Sequence, residues 1–117
     1  MPELPEVETI CRSLRDGTAD APSLVGEQII GVRLGWPRHV VEPSPTNFRR
    51  RIRRQSVREI DRRGKFILLS LDRDSLLVHL MMSGDLFIAP AGVRRTTHDH
   101  TVFRLASGRQ LRFRDPR

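Results

Sequence analysis

From residue 56 onward the chain is a series of short β-branched and leucine-rich segments, and the breaks between them limit the fold more than any other feature of the sequence. The segments are Ser56 to Arg62, Lys65 to Leu71, Leu76 to Met82, Asp85 to Ala89, Thr101 to Leu105 and Gln110 to Arg114. The breaks carry Gly64, Asp72 to Ser75, Gly84, Pro90 to Gly92 and Gly108, which are hairpin punctuators. Parallel neighbours need a crossover of about a dozen residues or more. Apart from the longer loop before Thr101, the breaks have no room for one, so the strands pair antiparallel. An earlier strand is expected over Val25 to Leu34, from the β-branched Val25, Ile29, Ile30 and Val32.

Ahead of these strands, Leu4, Val7, Cys11 and Leu14, with Ile10 nearby, recur at helical spacing, and Asp16-Gly17 stops the pattern. Thr18 to Ser23 reads as a loop and Pro37 to Thr46 as an irregular connection. Phe48 and Ile52 are spaced for a short helix capped by Thr46. The expected fold class is mainly β (α+β): an antiparallel β-sandwich with an N-terminal α-helix packed beside it and one short helix. No internal repeat is present.

The helix opens on Met1-Pro2-Glu3-Leu4-Pro5-Glu6. Loss of the initiator Met leaves Pro2 as an N-terminal secondary amine. An α-amino group titrates near about 8, so roughly a tenth of it is unprotonated and nucleophilic at neutral pH. Attack on a carbon at the aldehyde oxidation level, such as a sugar's anomeric carbon, gives a cationic iminium that acts as an electron sink. Glu3 and Glu6 project from one side of the helix, and its free N–H groups and positive dipole end lower the amine's pKa and favour an anion. The same residues also suit a helix entrance with a solvated acidic first turn.

A net charge of +7 indicates a polyanionic partner, most simply nucleic acid, although a basic ribosomal or membrane-surface protein has the same balance. Arg49, Arg50, Arg51, Arg53, Arg54, Arg58, Arg62 and Arg63 crowd one stretch, as phosphate-gripping forks or as a solvated face. Lys65 is the only lysine among 21 Lys and Arg side chains, either a candidate for a task that needs a compact ammonium on a flexible stem or a chance survivor at a strand start. The single cysteine, Cys11, excludes an internal disulfide and a cysteine-rich zinc site, and reads as a small apolar filler on the first helix. No apolar run reaches transmembrane length and no charged-then-apolar leader precedes Pro2, so a cytoplasmic protein of the bacterial cytosol and nucleoid is expected, without membrane association.

The string Pro2-Glu3-Leu4-Pro5-Glu6-Val7-Glu8-Thr9 closely resembles the opening of the formamidopyrimidine-DNA glycosylase family of base-excision repair enzymes. Leu4 stands where the related endonuclease VIII branch has Gly, which points to the branch acting on oxidised purines. Four further segments carry the resemblance. Arg62-Arg63-Gly64-Lys65-Phe66 resembles the turn into a strand whose lysine contacts phosphate beside the lesion. His79-Leu80-Met81-Met82-Ser83-Gly84 resembles a His-Leu-Gly-Met-Ser-Gly turn whose His contacts phosphate and whose Met fills the space left by an everted nucleotide, with Met81 departing from the family's Gly. Asp115-Pro116-Arg117 resembles the start of Asp-Pro-Arg-Arg-Phe-Gly, whose first Arg enters opposite the unpaired base. Thr97-His98-Asp99-His100 resembles a segment ending in His-Asp-His; two His and an Asp invite a metal reading, but the resemblance implies a structural or DNA-facing loop.

The resemblance implies that residues 1–117 form the N-terminal catalytic domain of a bifunctional glycosylase and AP lyase. Its catalytic residues would be Pro2 as nucleophile, Glu3 as general acid and base, Glu6 in proton handling and Lys65. His79, Met82, Arg117, Arg62, Arg63, His98 and His100 would face DNA. The partner expected is double-stranded DNA with an oxidised purine, such as formamidopyrimidine or 8-oxoguanine, or with an abasic site, bound by a monomer. No cofactor or metal is expected in this chain. The family's helix-two-turns-helix domain and four-cysteine zinc finger, with its zinc, lie beyond Arg117, so this stretch alone is expected to be weak or inactive. A noncatalytic DNA-binding β-domain and a basic RNA-associated module are the alternatives that the residues leave open.

Overall fold

Apolar side chains from two sheets and two helices meet in a single core. The computed structural model describes residues 4–35, 44–80 and 83–116. The elements in chain order are α1 (Leu4–Asp16), β1 (Ile29–Leu34), α2 (Pro45–Ile52), β2 (Val57–Arg63), β3 (Phe66–Leu71), β4 (Ser75–His79), β5 (Asp85–Ala89), β6 (Asp99–Leu105) and β7 (Gln110–Arg114). Strands β1-β6-β7-β5 form a four-stranded sheet and β2-β3-β4 a three-stranded one, with every neighbouring pair antiparallel. Ile60, Ile67 and Leu69 from the smaller sheet meet Phe103, Leu105 and Leu111 from the larger, which is the expected sandwich.

On α1, Val7, Cys11 and Leu14 are buried at the spacing that identified the helix. Burial pushes the Cys11 thiol above its ordinary range, consistent with a packing role. Gly17 ends the helix at φ +79, with its N–H on the Ser13 carbonyl at 3.1 Å. A side chain there would meet the Ser23 nitrogen at 2.8 Å, so the stop depends on glycine. The second helix rests on the larger sheet through buried Ile52 and an edge-on contact of Phe48 with Phe103.

Four boundaries differ from the sequence expectation by two residues or more. The first strand begins at Ile29, because Gly26 takes φ +94 and hydrogen-bonds the Val57 carbonyl, which turns Val25 out to 40% exposure. Helix α2 is capped by Ser44 instead of Thr46: the Ser44 side chain accepts the Asn47 N–H, and Pro45 fills the first turn, where its missing N–H costs nothing. Strand β4 ends at His79, since Leu80 gives its carbonyl to the Gly84 N–H at 2.7 Å; Met81 and Met82 lie outside the described residues. Strand β6 starts two residues early, at Asp99, with a bulge between Asp99 and Thr101.

Candidate active site and nucleic-acid interface

The start of α1 is tied to the three-stranded sheet by one guanidinium. Arg62 at the end of β2 donates from Nε to Glu8 Oε1 at 3.0 Å and from Nη1 to the Gly64 carbonyl at 3.0 Å. The Arg62 hydrogen bond holds the Glu8 carboxyl below the usual carboxylate range against a desolvation penalty, helped by Arg12 at 3.1 Å. Arg62, expected at DNA, joins the helix to the turn that leads into Lys65 while the residue stays exposed. Arg63 is exposed, and Gly64 turns the chain at φ +59. Lys65 follows, half-buried, at the entrance to β3.

The next residue, Phe66, pairs across the sheet with His79, their rings 4.9 Å apart. The two residues expected to hold phosphate thus share one end of the smaller sheet, where β3 begins and β4 ends. Glu6 is exposed in the first turn of α1. Pro2, Glu3, Met82 and Arg117, the residues expected to serve as nucleophile, general acid and stack-filling side chains, lie outside the described residues, and only their neighbours in the chain are described.

One of these neighbours, Ser83 beside Met82, is held by Asp115, which is 4% exposed. Its Oδ1 accepts the Ser83 hydroxyl at 2.7 Å, its N–H goes to the His98 carbonyl at 3.0 Å, and its carbonyl lies 2.8 Å from His100 Nε2. Three segments remote in sequence are joined: the turn after His79, the His-Asp-His segment, and Asp115-Pro116. Gly84 completes the turn, because a Cβ at that position would overlap the Leu80 carbonyl. Sequence reasoning quoted Ser83 and Asp115 within the motifs but gave them no task.

The His98-Asp99-His100 segment is a brace. The Asp99 carboxylate is fully buried and takes Arg112 at 3.4 Å, Arg114 and the Thr96 N–H at 2.9 Å. Burial alone would raise its pKa, but Arg114 and the Thr96 N–H outweigh that and hold it below the usual range. With two guanidiniums on its carboxylate, Asp99 is not a metal ligand, which removes the metal reading of this segment. His100 is engaged with Asp115, and the His98 side chain is exposed. Among the described residues no three His, Cys, Asp or Glu are grouped to hold a metal ion.

The arginine-rich stretch divides. Arg51 pairs with Asp74, Arg58 with Asp72 and Arg50 with Asn47, whereas no described carboxylate pairs with Arg49, Arg53, Arg54 or Arg63. Buried Gln55, which the sequence did not flag, reaches the Arg51 carbonyl and Asp74 with its amide nitrogen and accepts the N–H groups of Arg73 and Asp74. A polar residue inside an arginine run carries no periodic signal, so only the tertiary contacts reveal it.

Residues 1–117 match the family model for the formamidopyrimidine-DNA glycosylase N-terminal domain. The chain belongs to the formamidopyrimidine-DNA glycosylase family. It is 45% identical over its whole length to the formamidopyrimidine-DNA glycosylase of Geobacillus kaustophilus and 42% identical to that of Herpetosiphon aurantiacus, covering 41% of each. Among solved structures, Lactococcus lactis Fpg bound to abasic-site DNA superposes with a TM-score of 0.86 at 31% identity, over 98% of this chain and 40% of that one. The complex of the same enzyme with DNA containing FAPY-dG gives a TM-score of 0.84 at 32% identity, covering 97% and 40%. The chain therefore spans about 40% of the length of the family members it matches. The seven strands and two helices form the N-terminal domain fold of the formamidopyrimidine-DNA glycosylase family.

Proposed function

We propose that this chain is the catalytic domain of a base-excision repair enzyme that removes oxidised purines from double-stranded DNA and then cleaves the abasic strand. The observation that carries the reading is the convergence described above: Lys65 and His79 share one end of the smaller sheet, Arg62 ties the start of α1 to the same turn, and Ser83 is fastened to Asp115. The solved relatives bound to FAPY-dG and abasic-site DNA support DNA as the partner.

A base joined to its sugar is shielded at C1′ while stacked, so the nucleotide leaves the duplex at a cost of a few kcal/mol. In this reading Met82 and Arg117 occupy the vacated space. Pro2, freed from Met1, attacks C1′ through its nitrogen, the glycosidic bond breaks, and the base departs with its electron pair and a proton. Glu3 protonates the sugar ring oxygen as the ring opens, giving the iminium between Pro2 and C1′. The iminium acidifies the C2′ protons, and elimination expels the 3′ phosphate; a second elimination releases the 5′ phosphate, and water hydrolyses the iminium to return the amine. Glu6 assists proton transfers, and Lys65 and His79 hold the phosphates.

Borohydride reduces an iminium to a stable amine and so fixes enzyme to DNA. Trapping on an 8-oxoguanine duplex is expected with the full-length protein and is expected to vanish in Pro2→Gly or when Met1 is retained. Undiminished trapping by either would rule out the N-terminal nucleophile. Residues 1–117 alone are expected to bind DNA weakly, in a salt-sensitive way, with little turnover.

A further inference from the structure

The outer face of the four-stranded sheet carries a second cationic site. Strands β5 and β6 both pair antiparallel with β7, which lies between them, so residues 90–98 have to cross β7 to connect them. They cross on the outer face, where the Arg112 guanidinium donates to the carbonyls of Val93 and Arg94. Arg112 is 2% exposed; its charge is balanced by Asp99, and its Nε goes to Gln110 Oε1 at 2.9 Å. Loop and sheet enclose a half-open concavity of about 220 Å³, with Arg33, Arg95 and Arg104 at its wall over an apolar floor that includes Val102.

Like Arg49, Arg53, Arg54 and Arg63, these three arginines stand outside the ion pairs among the described residues. Arg58 has Asp72 and Arg109 has Glu27, but no described carboxylate pairs with Arg33, Arg95 or Arg104. Register brings two of them together: Arg33 pairs with Val102 and Arg104 with Gly31, which makes the arginines diagonal neighbours, roughly 7–8 Å apart at such positions. Gly31 is buried inside a strand, a placement that ordinarily weakens a strand. Here it makes room, because a Cβ at Gly31 would overlap the Arg104 guanidinium lying across it. Three like charges around one concavity repel one another until an anion enters.

We propose that this concavity binds a phosphate-type oxyanion, at a site separate from the end that carries Lys65 and His79. Guanidinium forks approaching from several directions match a tetrahedral, multiply charged group better than a planar monovalent carboxylate. The group is either a phosphodiester of duplex DNA outside the lesion contact or a free phosphate compound.

Calorimetric titration of the protein with inorganic pyrophosphate at low salt tests the site. Wild type is expected to bind, and Arg33→Ala/Arg104→Ala to lose at least tenfold in affinity. Gly31→Ala, which only displaces the flexible end of Arg104, is expected to lose severalfold while keeping its circular dichroism spectrum. Arg15→Ala/Arg73→Ala removes the same charge elsewhere and is expected to stay within twofold of wild type. Displacement of pyrophosphate by a lesion-free duplex assigns the oxyanion to DNA, and absence of displacement assigns it to a free phosphate compound; both uphold the site. It is overturned by no wild-type binding, by equal loss in the control variant, or by binding of polyglutamate in place of pyrophosphate.

Discussion

Ser83 Oγ donates to Asp115 Oδ1 at 2.7 Å, so two turns 32 residues apart in the chain are held as one unit. Each adjoins a residue that the proposed function sends into the DNA stack, Met82 beside Ser83 and Arg117 two positions after Asp115. The partners are largely withdrawn from water, and a hydrogen bond to a charged group in such a setting contributes about 1.5–3 kcal/mol.

Ser83→Ala removes the hydroxyl and little else. Its expected effect is a loss of about 1–2 kcal/mol in stability, with affinity of the full-length protein for a duplex carrying an abasic-site analogue falling roughly five- to thirtyfold. Urea unfolding and filter binding read the two quantities. Unchanged DNA affinity would mean that the Ser83–Asp115 link serves folding alone.

Arg62→Ala releases α1 from the Gly64 turn. Because misplacing catalytic groups by about 1 Å can cost up to a hundredfold in rate, kcat on an oxidised-guanine duplex is expected to fall roughly ten- to a hundredfold with KM near wild type. Glu8→Gln is expected to act in the same direction and to add little in the double variant, since both changes break one link. A main effect on KM would return Arg62 to direct DNA contact.

Asp99→Asn leaves Arg112 buried without its countercharge. Breaking a buried ion pair from one side costs about 3–5 kcal/mol, so this variant is expected to unfold at markedly lower urea than wild type. A change below about 1 kcal/mol would show that the carbonyls of Val93 and Arg94 suffice to hold the guanidinium.

Acid is expected to unfold the domain through its carboxylates. Asp72 is held below the ordinary range by the Ser56 N–H and Arg58, Asp74 by Arg51 and Gln55, Glu8 by Arg62, and Asp99 by Arg114 against burial. A carboxyl depressed in the folded state stabilises fully above its unfolded pKa, near about 4, and that contribution is lost as pH falls through the lower folded value. The thermal midpoint is therefore expected to hold between about pH 7 and 5 and to drop below about pH 4, less steeply in Asp72→Asn. An equally steep drop in that variant would exclude Asp72.

The strands, their antiparallel pairing and the stop at Gly17 were legible because they depend on local rules: alternation, short breaks, and a left-handed residue that needs glycine. The errors fell at boundaries: Gly26 ends the approach to β1 by bonding the distant Val57, while Leu80 leaves β4 in a local turn with Gly84. The link of Arg62 to Glu8 was not legible, because Glu8 lies 54 positions away.

The sequence by itself determined the family and the fold class and named candidates for the chemistry, since a proline after the initiator Met, a solitary lysine and short spaced strands are properties of residue type and order. Tertiary structure alone decided which charges are spent within the domain and which stay available. Electrostatic pairing acts through space over a few ångströms, so Arg62 and Arg112 are neutralised by carboxylates that only folding brings to them, whereas Arg33, Arg95 and Arg104 end beside one another with none among the described residues.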